Sequence, residues 1–253
     1  METMEQRRKQ LLQWINEKGE VRFAELKAKF PHVSEMTLRT DLKMLDEEKK
    51  ILRVHGGARS VQALIGTDDF LQRKLVRHIT EKEIMAQKAV ALLEKDTTIY
   101  LDSGSSTTAM AKQIPDASYL IYTTGLSCAT ALADLKNPEV MLPGGKFNRY
   151  SHSVYGYSAI KELEQVNFSQ VYLGVTGFHP EAGFSCGMKE ETILKQQVIK
   201  QADQVIVLMD SSKIGVKCSF QICQLADIDI LIVDDHFPEE IRALCQREGV
   251  TVI

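Results

Sequence analysis

Long apolar runs are missing from this 253-residue chain. None approaches the about 18 residues that a membrane-crossing helix needs, so neither a membrane span nor a membrane partner is expected. The first eight residues carry no apolar core of the kind a secretory signal has, and a cytoplasmic location is the expectation. Cysteine is scarce and unsuited to cross-linking. Cys128, Cys186, Cys218, Cys223 and Cys245 are odd in number, and no CxxC pair occurs. Reduced, buried thiols follow from that pattern. No histidine cluster accompanies them, so neither a metal nor another cofactor is expected.

Charge of one sign is not in large excess either: the formal net charge is −3. It is unevenly spread, however. Residues 1–59 hold 13 Lys and Arg against 10 Asp and Glu, and the remainder holds 18 against 24. An anionic polymer would bind at the basic N-terminal end.

That end reads as three short helices. The first spans about Glu5 to Lys18, with Leu11, Leu12 and Ile15 on its apolar face, and stops at Gly19. The second runs from about Arg22 to Phe30, and Pro31 ends it. The third opens at Ser34, a good N-cap, and buries Leu38, Leu42 and Leu45. Thr37, Arg39, Thr40 and Lys43 lie off that stripe. A strand follows at Ile51–Val54, with Arg53 and His55 on one face and a Gly56-Gly57 turn. A plain three-helix bundle with a charged face is the bland alternative. Helix, turn, helix and basic wing in this order favour a winged helix-turn-helix that binds double-stranded DNA. In that reading Ser34, Thr37, Arg39, Thr40 and Lys43 face the major groove and its phosphates. Arg53 and His55 add contacts from the wing. Asp41 would repel DNA and is expected to pair within the protein.

Residues 60–79 read as a linker that breaks at Thr67–Phe70, and its basic run Arg73, Lys74, Arg77 and His78 as a solvated helix face. From residue 80 onward, apolar strand-like runs alternate with helices, which predicts a mainly parallel sheet covered on both faces. Ligands of such sheets sit beyond the carboxyl ends of the strands. Those ends carry Asp102-Ser103-Gly104-Ser105-Ser106-Thr107-Thr108, Thr123-Thr124-Gly125, Gly144-Gly145-Lys146, Gly174-Val175-Thr176-Gly177 and Asp210-Ser211-Ser212-Lys213. The hydroxyl-rich loop after Leu101 fits a phosphate cradle and, taken alone, fits a helix N-cap as well. Gathered on one rim, these groups suit a phosphorylated polyol. Lys146 and Lys213 would neutralise its phosphate, and Asp102 and Asp210 would accept from its hydroxyls.

These residues resemble the DeoR/GlpR family of bacterial transcriptional regulators. The match lies in Thr37-Leu38-Arg39-Thr40-Asp41-Leu42, in Leu52 to Ala58 with its His-Gly-Gly-Ala wing, in Leu101 to Thr107, in Gly144-Gly145, in Gly174 to Gly177 and in Asp210 to Lys213. The resemblance implies an N-terminal winged helix-turn-helix domain (1–59). After the linker it implies a larger α/β effector domain (80–253), similar to ribose-5-phosphate isomerase, glucosamine-6-phosphate deaminase and CoA transferase folds. It also implies a phosphorylated sugar effector, with Ser103, Gly104, Ser105, Ser106, Thr107 and Lys213 on the phosphate and Glu191 and Lys195 on the sugar side. The chain departs from the family at Arg39-Thr40, where two consecutive arginines are usual. It departs again at Thr123-Thr124-Gly125, where Thr-Asn-Ser is usual.

The functional expectation is a regulator of carbohydrate-metabolism genes, in the sense of a repressor, switched by that effector. Two operator half-sites require two recognition helices, so a homodimer or homotetramer is expected. The competing reading is a sugar-phosphate isomerase or deaminase with Asp102, Glu190, Glu191 or Asp210 as acid–base groups. The fused winged helix argues against it, and no catalytic residue is expected.

Overall fold

The computed structural model describes residues 4–48, 50–54, 56–60 and 71–253. His55 and the Thr67–Phe70 break lie outside the described residues, as does all of the linker segment 61–70. The chain divides into two compact units, Met1–Ile65 and Gly66–Ile253.

The smaller unit holds helices α1 (Met4–Lys18), α2 (Phe23–Lys29) and α3 (Glu35–Glu47), and strands β1 (Glu20–Arg22), β2 (Ile51–Val54) and β3 (Gly57–Ser60). Leu11, Ile15, Leu26, Leu38, Leu42 and Leu45 meet in one core, joined by Val21, Ile51 and Ala58 from the strands. Gly19, at φ +77°, ends α1 in the left-handed conformation that glycine adopts freely. Ser34 caps α3, its Oγ accepting from the Thr37 amide at 3.1 Å. The second helix starts one residue later than its apolar spacing suggests, because Glu20–Arg22 pairs as a strand with Gly57–Arg59. The antiparallel order β1-β3-β2 makes the wing three-stranded. This pairing explains the Gly56-Gly57 turn. Gly56 sits at φ +81°, and a Cβ on Gly57 would lie 2.1 Å from the Val21 carbonyl oxygen.

Asp41 is buried on α3, and two arginines of α1 hold it. Arg7 Nε donates to its Oδ2 at 2.6 Å and Arg8 Nε to its Oδ1 at 2.9 Å. The carboxylate is thus consumed inside the protein, as its position near the basic face required.

The larger unit begins with the short helix α4 (Leu71–Lys74) and with α5 (Ile79–Ala91). It continues through β4 (Thr98–Leu101), α6 (Ser105–Ala111), β5 (Leu120–Thr123), α7 (Leu126–Leu132), β6 (Glu139–Met141), β7 (Lys146–Asn148), β8 (Ser153–Tyr155) and α8 (Tyr157–Leu163). Then follow β9 (Phe168–Gly174), β10 (Gly177–His179), β11 (Gly183–Cys186), α9 (Lys189–Lys200), β12 (Ala202–Leu208), β13 (Phe220–Cys223), β14 (Ile230–Ile232), α10 (Glu239–Arg247) and β15 (Thr251–Val252). Seven strands form one parallel sheet in the order β15-β14-β12-β9-β4-β5-β6.

Side chains alternate across that sheet, as the strand period of two requires. Ile99, Leu101, Tyr172, Ile206, Leu208 and Ile232 pack with α5, α6 and α7. Tyr100, Val171, Leu173, Val205, Val207 and Leu231 pack with α8, α9 and α10. Both faces are dry, which is why these strands read as continuous apolar runs. The sheet order reverses between β4 and β9, the point beyond whose carboxyl ends open α/β sheets place their ligands.

Two additions have no counterpart in the apolar pattern: the β7–β8 hairpin and a second, antiparallel sheet of order β10-β11-β13. Their strands are three or four residues long, too short for a periodic signal. The basic run is not a solvated helix face: Arg73, Lys74 and Arg77 are half-buried, and only His78 is exposed. Among the described residues no helix is long and apolar enough to cross a membrane.

Replacing Asp41 by Ala leaves two arginines facing an empty, buried acceptor site. The smaller unit is expected to lose about 3 kcal/mol or more. Its one tryptophan, Trp14, is the only tryptophan in the chain, so urea unfolding followed by its fluorescence reports that loss. An unchanged midpoint would mean that the Arg7–Asp41–Arg8 cluster contributes nothing.

Candidate effector site and nucleic-acid face

On the smaller unit, the residues off the leucine stripe of α3 form one polar surface. Ser34, Arg39, Thr40 and Lys43 are exposed and Thr37 is half-buried. Each is positioned by a local contact. The hydroxyls of Ser34 and Thr37 lie 2.8 Å apart, Thr40 Oγ1 donates to the Met36 carbonyl at 2.9 Å, and Lys43 lies 3.6 Å from Glu47. The Arg39 guanidinium carbon lies over the Phe23 ring, 4.2 Å from its centroid, a cation–π contact. On the wing, Arg53 is exposed, and its backbone amide donates to Asp46 Oδ1 at 3.0 Å, which ties β2 to α3. Met36 also projects from this face, 81 % exposed. Sequence reasoning passed over it. The available signal was an apolar residue in the first turn of α3, outside the leucine stripe.

In the larger unit the point where the sheet order reverses is organised by Asp102, the first residue after β4. Its carboxylate is buried and accepts from the Gly174 amide at the end of β9 at 3.0 Å. It also accepts from Lys195 Nζ, and Lys195 donates in addition to the Gly174 carbonyl at 2.8 Å. One ion pair thereby joins β4, β9 and α9. Burial works against the Lys195 charge, but Asp102, Cys186 and Glu191 outweigh it and hold the ammonium above its ordinary range.

Glu191 lies one turn earlier on α9. Its Oε1 accepts from Ser153 Oγ at 3.2 Å, and Ser153 Oγ lies 2.7 Å from Ser151 Oγ. The carboxylate of Glu191, the ammonium of Lys195 and the carboxylate of Asp102 thus line one polar wall. The loop after Asp102 is tied to itself: Thr107 Oγ1 donates to the carbonyls of Asp102 at 2.7 Å and Gly104 at 2.9 Å. Ser103, Ser105 and Thr107 are buried, and Gly104 and Ser106 are half-buried. Gly125 is dictated by crowding, since a Cβ there would lie 2.7 Å from Ser103 Cα.

Asp210 caps a 3₁₀ turn, Ser211–Lys213, after β12, and Lys213 ends it. Asp210 accepts from the Ser212 amide at 3.1 Å and from the Ser212 hydroxyl. Burial pushes the Lys213 ammonium down; Asp210 opposes the shift, and Lys74 and Arg77 add to it. Gly144, Gly145 and Lys146 are exposed, and the Lys146 ammonium lies 5.9 Å from the Tyr155 ring centroid. Among the described contacts none joins Lys146 to Asp102 or Lys195. The expected rim therefore resolves into a tight group around Asp102, a second group around Asp210, and Lys146 apart from both.

A residue absent from the expected set belongs to the second group. Lys82 of α5 is buried, and its Nζ donates to the carbonyls of Lys74 and Arg77. The signal was available: Lys82 shares the helical stripe of Met85, Ala86 and Ala89, where an apolar residue belongs.

The five cysteines are buried and none is in a disulfide. Burial pushes Cys128 up to about 11 and Cys223 up to about 12, so both are neutral, unreactive thiols.

Comparison with known proteins agrees with this division. Residues 7–63 match the DeoR-like helix-turn-helix domain and residues 77–235 the DeoR C-terminal sensor domain. An uncharacterized HTH-type transcriptional regulator of Bacillus subtilis strain 168, YulB, is 31% identical over 240 residues, 94% of this chain and 92% of that protein. A putative aga operon transcriptional repressor of Escherichia coli O157:H7 is 30% identical over 250 residues, 98% of this chain and 93% of its own. Among solved structures, ribose 5-phosphate isomerase A of Methanocaldococcus jannaschii overlaps 54% of each chain at 16% identity and a TM-score of 0.38, a likeness too slight to bear on chemistry. With both domain models matched in order and the relatives covered almost end to end, the chain belongs to the DeoR family of helix-turn-helix transcriptional regulators.

Proposed function

We propose that the chain is a repressor of carbohydrate-metabolism genes whose hold on operator DNA is set by a phosphorylated sugar. The observation that carries the ligand half is the polar wall of buried Asp102 and Lys195 and half-buried Glu191 at the point where the sheet order reverses. Titratable groups gathered there are costly to bury and are of use to a ligand rich in hydroxyls. The DNA half is supported by the exposed face of α3, with Arg39 as the residue suited to a guanine edge or a phosphate. The sense of the switch draws on relatives whose names describe repressors, one of them the putative aga operon repressor. Two copies place two α3 helices on a two-fold operator, so the working form is at least a homodimer. Asp102 is held by Lys195 and the Gly174 amide. A carboxylate so engaged orients a ligand better than it moves a proton, which speaks against an enzyme.

The effector changes DNA affinity only by binding the two states unequally. Mobility shift on DNA upstream of the protein's own gene, with a panel of sugar phosphates, is expected to find at least one that alters binding. If none does, the switch is wrong. Arg39→Ala is expected to weaken specific binding by about 1–3 kcal/mol. The thermal stabilisation given by the effector should stay intact; loss of both together would contradict the separation of roles. Lys195→Met leaves Asp102 buried without its cation. It is expected to lower the stability of the larger unit by about 3–5 kcal/mol and to abolish the effector-induced thermal shift, both read in the same melting experiment.

A further inference from the structure

The polar face of α3 carries one residue that its polarity does not explain. Met36 stands in the first turn of the helix, 81 % exposed. One turn further on lie Arg39 and Thr40, both exposed, and one turn beyond them Lys43, exposed as well. Residues three and four apart are neighbours on a helix surface. The four side chains therefore form one outward strip, apolar at its N-terminal end and basic along the rest. A single exposed apolar residue is commonplace. What singles out Met36 is its place in this strip and its tie to Thr40.

The hydrogen-bonding capacity of the strip is partly spent. Thr40 Oγ1 donates to the Met36 carbonyl at 2.9 Å. A threonine hydroxyl has one proton, so this one has none left for a phosphate oxygen or for an acceptor on a base. What Thr40 adds to the strip beyond that bond is a methyl group. Nearby, the hydroxyls of Ser34 and Thr37 lie 2.8 Å apart, and Ser34 Oγ also accepts from the Thr37 amide. The Met36 side chain has no polar hydrogen at all. An apolar pair one turn apart on a basic face complements one feature of duplex DNA. Among the base edges in the major groove, thymine alone carries a methyl group. The N-terminal residues of a recognition helix are the ones that reach base edges, and Met36 stands there. Its unbranched thioether can follow an uneven surface.

We propose that Met36 and Thr40 are specificity-determining residues that pack on the 5-methyl group of a thymine in each operator half-site. The inference rests on the reading of α3 as the helix that enters the major groove. It adds to that reading a base that the helix selects and a means of selection that uses no hydrogen bond. Arg39 and Lys43 supply the attraction to guanine or phosphate on the same strip. The two contributions differ in kind. Phosphate contacts weaken as salt rises, because they depend on counterion release. Burial of a methyl group depends on the apolar area removed from water, so the preference for thymine holds its size as salt rises.

Deoxyuridine is the probe, since it differs from thymidine only by the missing 5-methyl. Duplexes that the full chain retains are selected from a random pool, and each thymine of the selected half-site is replaced in turn by deoxyuridine. At one thymine of the half-site the exchange is expected to weaken wild-type binding about fourfold, the worth of one buried methyl. That factor should stay the same as salt is raised, while affinity for both duplexes falls. Met36→Ala is expected to bind the two duplexes alike, and Met36→Leu to keep the preference. Thr40→Val keeps a methyl, cannot donate, and should retain the preference; Thr40→Ser keeps the hydroxyl and should lose part of it. Both positions are exposed, so these exchanges leave the core of the smaller unit intact. The proposal is overturned if no thymine of the selected sites depends on its methyl group, or if Met36→Ala or Thr40→Ser keeps the full preference. A full preference in Met36→Ala together with a changed sedimentation coefficient would assign Met36 to a contact between protein copies instead. The reading of α3 fails separately: Arg39→Ala would then bind the selected duplexes as the wild type does.

Discussion

The Asp102–Lys195 ion pair is the contact on which the larger unit is centred. It lies where the sheet order reverses, and it gathers the ends of β4 and β9 against α9 through Gly174, which both partners touch. An open parallel sheet has a weak point there, because the connections on its two sides run in opposite directions and leave a crevice. A hydrophobic plug would close the crevice. The Asp102–Lys195 contact holds it in shape and keeps it polar. Stability alone would favour apolar groups in such a place, so the retention of two charges points to use.

The parallel sheet was legible because both of its faces are dry. Strands such as Phe168–Gly174 and Ala202–Leu208 read as continuous apolar runs, and the helices between them show their own period. The three-stranded wing was half legible. Val21 pairs with Ala58 across 37 residues, and a three-residue strand leaves no local trace. The β7–β8 hairpin and the small antiparallel sheet were not legible for the same reason.

The site was legible as a set of loops and less so as a set of roles. Asp102 and Asp210 stand out as carboxylates at strand ends, which suggests that they meet a ligand directly. Asp102 instead meets Lys195, 93 residues away, and Asp210 meets the Ser212 amide and hydroxyl. Partnerships across such separations depend on topology, not on spacing. Lys82 stayed hidden because a lysine on an amphipathic helix is ordinarily a solvent-facing residue; only its place on the stripe of Met85 and Ala89 marks it as unusual. Lys146 shows the reverse case, a lysine beside a Gly-Gly turn that the fold leaves exposed near Tyr155.

The stacking of Arg39 on Phe23 has a consequence for selectivity. A free arginine side chain samples many rotamers, and fixing one of them on docking costs affinity. With its guanidinium held over an aromatic ring, Arg39 has shed part of that freedom during folding, before any partner arrives. Lysine has no flat face to lay there, so the position is arginine-specific even where a single positive charge would satisfy the partner. The ring at the start of α2 thus decides which kind of cation α3 can present.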